Sequence, residues 1–249
     1  NGTVAATVIA VEDVPVWPED ERLQAEKETL GLYLTGHPFT RYERELEHVI
    51  TARLGVLATG NGASAPAADA EPRYGRQRNG ERRVVAAGLI VGLRTRQGAR
   101  GGRMGFVVLD DRTGRIEVSV FPEVWTRYGQ RLGKDGLVVV EGTLGYDDFS
   151  DGWRILADRV LDIAEVRETY ARHLLLEFPP THLDGRLIDN VREALTPFRH
   201  GACPVRLRYR RQDAEATLAF GSEWRVRPTD ELLTRLGSID QAAQVRVEY

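Results

Sequence analysis

Gly105-Phe106-Val107-Val108-Leu109-Asp110-Asp111-Arg112-Thr113-Gly114-Arg115-Ile116-Glu117-Val118-Ser119-Val120-Phe121-Pro122 reads as two strands, the turn between them and the start of a helix. Asp110 to Gly114 is turn chemistry, because aspartate side chains bond to nearby backbone and glycine accepts conformations closed to other residues. Beyond the turn, Ile116, Val118 and Val120 face one way and Glu117, Ser119 and Phe121 the other, the period of two of a strand with one apolar side. Pro122 suits the first turn of a helix that carries Val124, Trp125, Tyr128 and Leu132.

Upstream, Arg83 to Leu93 is rich in Val, Ala, Leu and Ile, with Gly88 and Gly92 predicting a bend or bulge in a long first strand. Downstream, Leu137 to Gly145 and Trp153 to Ile163 supply strands four and five, joined by the polar tip Tyr146 to Gly152. Three strands, one helix and two strands is the element order of a five-stranded OB-type β-barrel, here expected over residues 82–164. Barrels of that class often hold single-stranded nucleic acid.

Between the first two strands the chain reads Arg94-Thr95-Arg96-Gln97-Gly98-Ala99-Arg100-Gly101-Gly102-Arg103, four guanidiniums and no carboxylate. Arginines grip phosphates or stack on bases, and glycines let the backbone approach a ligand closely. Arg94, Arg96, Arg100 and Arg103 are therefore candidate contacts for single-stranded DNA, with Arg115 beside them. Phe106, Phe121 and Trp153 are the nearest aromatics that could form a stacking platform, against the alternative that each fills the core.

Other chemistries fail on pattern. The arginine segment lacks the Lys-Ser/Thr ending of a P-loop and follows a strand without opening a helix. Asp110-Asp111 and Asp147-Asp148 are adjacent pairs in turns, where neighbouring side chains diverge, so a two-metal site is not expected. Asp147, Asp151 and Gly152 imitate a calcium loop, but Phe149 stands at a ligand position and Asp158 replaces the closing Glu. His37, His48, His173, His182 and His200 lack zinc spacing, and no nucleophilic set is recognisable. No catalytic residue, metal ligand or cofactor is expected.

Composition sets the remaining bounds. The 249 residues are 42% hydrophobic, enough for two packed units and an extension. The net charge of −3 conceals an acidic stretch, Val11 to Glu28, and an arginine-rich one, Arg73 to Arg103, whose single acid is Glu81. Cys203, the one cysteine, excludes an internal disulfide framework and fits the reducing cytoplasm as a small buried hydrophobe. No apolar run approaches the ~18 residues of a membrane span, and no basic-then-apolar leader opens the sequence. A start at Asn1-Gly2, with Met104 the only methionine, is expected of a piece of something longer.

Residues 1–18 read as an extended acidic arm. Residues 19–54 read as a helical hairpin, with Leu23, Leu30 and Leu34 on one helix and Phe39, Tyr42, Leu46, Val49 and Ile50 along the second. Residues 55–81, rich in Gly, Ala and Pro, read as a flexible linker. From residue 165 to 249 a small α+β domain is expected: Leu174, Leu176 and Phe178 alternate, Leu183, Leu187, Val191 and Leu195 suit a helix, and Val205, Leu207 and Tyr209 alternate again. Leu218 and Phe220, then Trp224 and Val226, continue the sheet, Glu231 to Leu236 is a short helix, and Val245, Val247 and Tyr249 close with a strand. The whole is of mixed class.

Glu28-Thr29-Leu30-Gly31-Leu32-Tyr33-Leu34-Thr35-Gly36-His37-Pro38 resembles a distinctive segment in the C-terminal region of the bacterial DNA polymerase III alpha subunit family. Ala87-Gly88-Leu89-Ile90-Val91, Leu109 to Val118, Phe220-Gly221 and Trp224-Arg225-Val226 agree with the same family, and the resemblance runs from about Glu19 to Tyr249. It implies an OB domain that contacts single-stranded template DNA through its basic first loop, here Arg94, Arg96, Arg100 and Arg103. It further implies a C-terminal domain that docks the tau subunit of the clamp loader within the replisome, with Trp224, Leu232, Leu233, Val245, Val247 and Tyr249 as the candidate contacts. The family's polymerase carboxylates lie upstream of the matching region, so the resemblance implies a non-catalytic part of a DNA-directed DNA polymerase. The family's clamp-binding peptide, a glutamine followed by Leu or Met and then Phe, has no counterpart before Gly31. Two other readings of the residues stay open: a protein-interaction scaffold that binds no nucleic acid, and an RNA-binding barrel of the anticodon type.

Overall fold

The computed structural model describes residues 17–31, 33–61, 82–98, 101–148, 151–178, 185–210, 215–240 and 243–249. All but the last two residues of the expected arm, and residues 62–81 of the expected linker, lie outside that set. Among the described residues no helix is long and apolar enough to cross a membrane.

Five strands close into a barrel in the order β1-β2-β3-β5-β4: β1 (Arg82–Gln97), β2 (Arg103–Asp110), β3 (Arg115–Val120), β4 (Leu137–Asp147) and β5 (Gly152–Leu161). β1 closes the cylinder because it is long enough to pair twice, its first half with β4 and its second with β2. The register slips between Ile90 and Gly92, the bulge expected near Gly92, and Gly88 brings its Cα against the Asp110 backbone. Inward residues Ala86, Ile90, Val107, Leu109, Ile116, Val118, Val120, Leu144 and Ile155 fill the interior. α4 (Pro122–Tyr128) sits between β3 and β4 in sequence and sets Trp125 against Gly105 and Gly129 at one end.

Two expectations for the helical segment change. α1 (Glu19–Leu30) and α2 (Thr40–Leu46) form, but α2 turns Phe39, Leu46 and Val49 onto Ala87, Val139 and Leu161 of the barrel. Leu30 and Leu34 are exposed, so only Leu23 of the first stripe is buried and a hairpin packed on its own apolar seam is not what forms. The linker also starts later than Gly55. α3 (Leu54–Leu57) inserts Leu54 and Leu57, both fully buried, into the barrel core, worth about 2 kcal/mol apiece.

α5 (Ile163–Tyr170), entered through a capping box of Asp162 and Glu165, leads out of the barrel. Beyond it β6 (His173–Phe178), α6 (Gly185–Leu195), β7 (Arg199–Cys203), β8 (Val205–Arg210), β9 (Glu215–Ala219), α7 (Asp230–Gly237) and β10 (Gln244–Glu248) make the small α+β unit. Its four-stranded sheet runs β10-β6-β8-β9, and Leu174, Leu176 and Phe178 pack with Leu187, Val191, Leu195, Leu232 and Leu236 of the two helices. The architecture is thus a closed OB-type barrel with flanking helices and an α+β C-terminal region.

Candidate nucleic-acid interface

Three of the four arginines of the segment lie on strands. Arg94 and Arg96 belong to β1 and Arg103 opens β2, and Gly98 N–H donates to Gly102 C=O at 2.7 Å. Arg94 lies opposite Phe106, Arg96 opposite Met104, and Gln97 opposite Arg103. Side chains alternate along a strand, so Arg94 and Arg96 share the outer face with Met104 and Phe106, whereas Arg103 projects from the other side of the hairpin. Arg100 lies outside the described residues.

The outer face continues across the sheet. Phe106 pairs with Ser119 on β3, Val108 with Glu117, and Glu117 with Arg154 of β5. Phe121, one residue past β3, keeps the outward parity and is 44% exposed. Phe106 is half-buried on this outer face. Arg115 pairs with Asp110 at 2.7 Å on the same face. Arg94 donates to Glu117 at 2.6 Å, and its guanidinium stands 6.0 Å from the Phe106 ring centre. For Arg96 and Arg103 no ion pair occurs among the described residues, and both are exposed.

Trp153 leaves the candidate platform. It shares the inward parity of Ile155 and Ala157, packs against the barrel core, and meets Tyr146 edge-on at 5.6 Å. Gly60 lies over its ring so closely that a Cβ there would fall 2.4 Å from it, so one face of the indole is covered by the end of the α3 segment. Outward residues that sequence reasoning did not single out are Met104, Val108 and the exposed Leu156. Their signal was available, since each shares the alternation of Phe106 or Ser119.

Asp111 serves the scaffold. Fully buried, its carboxylate accepts from Leu54 N–H at 2.9 Å and from Thr113 N–H, Thr113 Oγ1 and Gly114 N–H, tying the β2–β3 turn to α3. Asp110 is held below the ordinary carboxylate range: burial opposes this, but the Arg115 side chain and the Arg112 N–H outweigh it.

The candidate partner residues divide. Leu232 is fully buried between α6 and the sheet, so it shapes the domain and offers no surface. Val245 and Val247 pack half-buried on the same core, and Leu233 does likewise. Tyr249 stacks on His48 at 5.8 Å and donates to Glu45, tying the last residue to α2. Burial and that bond push its phenol pKa up. Trp224 is half-buried under the Arg199 guanidinium, 4.5 Å from its ring. It borders an apolar groove of about 290 Å³ lined also by Phe178, Leu187, Ile188, Val191 and Phe220. Ile188, 55% exposed, stands on its rim and is the residue the sequence reading passed over. Cys203 is buried and its thiol pushed up to about 11 by burial, the inert state expected of it.

Comparison with known proteins agrees with this architecture. Residues 84–163 match the family model described as OB-fold nucleic acid binding domain, and residues 190–239 match DNA polymerase III subunit alpha, C-terminal domain. The chain is 41% identical over 233 residues to DNA polymerase III subunit alpha of Escherichia coli K12, covering 94% of this chain and 19% of that protein. The same protein of Vibrio cholerae is 38% identical over 236 residues, covering 95% and 19%, and that of Haemophilus influenzae 32% over 240 residues, covering 96% and 19%. The chain therefore spans 19% of the length of these curated relatives. Among solved structures, a mitochondrial single-stranded DNA binding protein of S. cerevisiae aligns with TM-score 0.28 and 16% identity, covering 32% of this chain and 94% of that one.

Proposed function

We propose that this chain, which corresponds to the C-terminal region of the DNA polymerase III alpha subunit, holds single-stranded template DNA on its barrel and docks a clamp-loader subunit, tau, through its α+β unit. Nucleotidyl transfer then belongs to segments of the polymerase beyond this chain. One observation carries the DNA reading: the outer face of β1, β2 and β3 sets Arg94 and Arg96 beside Phe106, with Phe121 exposed at its edge. Guanidiniums that track phosphates next to an aromatic that stacks on bases form a sequence-tolerant grip on a flexible strand. The groove beside Trp224 supports the docking reading, because an open apolar slot rimmed by Ile188 and an arginine-stacked indole suits a partner's apolar side chain.

The test is titration of a labelled single strand with the 249-residue protein across a salt series. If Arg94, Arg96, Arg100 and Arg103 each neutralise a phosphate, the log–log salt slope approaches about −3, and replacing all four by alanine flattens it. An unchanged slope removes these arginines from the interface. No saturable binding at low salt would favour a pure scaffold, and strong preference for transfer RNA an anticodon-type module. For docking, Ile188→Glu should abolish capture of tau while leaving the fold intact, and undiminished capture would move the docking surface elsewhere.

A further inference from the structure

Arg94 and Glu117 do not lie on neighbouring strands. β2 runs between β1 and β3, so the Arg94 side chain crosses the middle strand to reach Glu117 Oε2 at 2.6 Å. On the way its guanidinium passes over the Phe106 ring, 6.0 Å from the centroid. The Arg94 side chain is 74% exposed and that of Glu117 28%. Beside Phe106, on the same outward side, the buried Ser119 Oγ has no hydrogen-bond partner among the described residues.

A base approaching Phe106 from the outer face therefore meets the Arg94–Glu117 bridge first. We propose that this bridge is a displaceable latch over the stacking site, with Glu117 as the built-in competitor for the phosphate that Arg94 would otherwise bind; the inference rests on the single-strand reading above. A phosphodiester offers Arg94 the same charge-assisted hydrogen bonds as the carboxylate. Exchange thus costs Arg94 little, but it leaves Glu117 without its cation beside a polyanion. The latch lowers affinity for any strand, blunts the salt dependence, and favours a strand that supplies both a phosphate and a stacking base.

The experiment compares the unaltered 249-residue protein, Glu117→Gln, Arg94→Ala and the double variant, each titrated with a labelled oligothymidylate across a salt series. Glu117→Gln is expected to bind about fivefold more tightly, the scale of a released surface ion pair. Its log–log salt slope should steepen by up to about 0.7, towards the about −3 of four neutralised phosphates, because Glu117 no longer holds Arg94 back from its phosphate. In the Arg94→Ala background the same substitution should give little gain, because the latch is already gone. Binding by the unaltered protein that Glu117→Gln leaves unchanged overturns the latch alone. So does an equal gain with or without Arg94, which would mark Glu117 as a distant repulsive charge. Absence of saturable binding in all four proteins sinks the single-strand reading and the latch with it.

Discussion

Arg167 and Glu45, 122 positions apart in sequence, meet in a two-pronged ion pair, Nε to Oε1 at 2.6 Å and Nη2 to Oε2 at 2.8 Å. Arg167 is 3% exposed and also donates through Nη1 to Asp230 Oδ1 at 2.8 Å and to Pro228 C=O at 2.9 Å. Tyr42 adds a hydrogen bond to Asp230, and Tyr249 one to Glu45. One guanidinium on α5 thereby fastens α2, the barrel's exit helix and the start of α7. Burial, the bond to Asp230 and its charge push the Tyr42 phenol up to about 12, so it stays a donor across the physiological range.

Removing that centre should loosen the relation between barrel and α+β unit. Arg167→Met roughly keeps the volume but removes the two-pronged partner of Glu45 and the shorter of the ion pairs to Asp230, a loss of about 3 kcal/mol. The expected readout is a lower urea midpoint together with faster hydrogen exchange in α2 and at the start of α7. A midpoint equal to the parent's would show that the junction does not depend on Arg167.

Asp230 gives this junction an acid limit. Burial raises its pKa, but hydrogen bonds from Tyr42 and Arg167 outweigh that and hold it below the ordinary carboxylate range. The folded state thus binds the proton more weakly than the unfolded chain. Its contribution is fully present above the unfolded value of about 4 and is lost as pH falls through the depressed folded value. Asp230→Asn should lower the urea midpoint at pH 7 and make the acid-side decline shallower. Parallel pH profiles for the two proteins would refute this assignment.

Asp111 should be intolerant of alanine. Its carboxylate accepts from three backbone N–H groups and the Thr113 hydroxyl, and Leu54 N–H is buried with it. Orphaning such donors costs about 1–3 kcal/mol, before any loss of Leu54 and Leu57 from the core. Asp111→Ala should lower the unfolding midpoint and abolish exchange protection at Leu54, whereas Asp111→Asn should retain part of both. Protection that survives in the alanine variant would show that α3 is held by its leucines alone.

These particulars mark where the sequence was readable. Alternation at Ile116, Val118 and Val120 and turn chemistry at Asp110 to Gly114 gave the barrel its strands, since a one-sided core enforces period two. α3 escaped because four residues are too few to show periodicity, and the Gly/Ala-rich composition that follows masked its two buried leucines. Leu30 and Leu34 were misleading for the opposite reason: their spacing suits a helix face, but α1 ends at Leu30 with Gly31 left-handed, and Leu34 lies beyond it. Arg167 left no trace at all, because an arginine buried by partners 122 and 63 positions away looks in sequence like any surface cation. At the site, residue type picked out Arg94 and Phe106, but only strand register separates Phe106 from Trp153.

That separation yields the sharpest prediction. Phe106 points to the outer face, whereas Trp153 has the inward parity, packs against the barrel core and is covered by Gly60. Phe106→Ala should weaken single-strand binding by about tenfold, within the ~1–3 kcal/mol of a base–aromatic stack, without altering the salt slope, because no phosphate contact is lost. Its effect on the urea midpoint should be small. Trp153→Ala should do the reverse, costing about 3 kcal/mol of stability as a large core residue while sparing affinity at temperatures where the barrel stays folded. Anisotropy titrations and urea unfolding on the same two variants decide it. If Trp153→Ala abolishes binding in a folded barrel and Phe106→Ala does not, the strand lies across the barrel end and not along β1, β2 and β3.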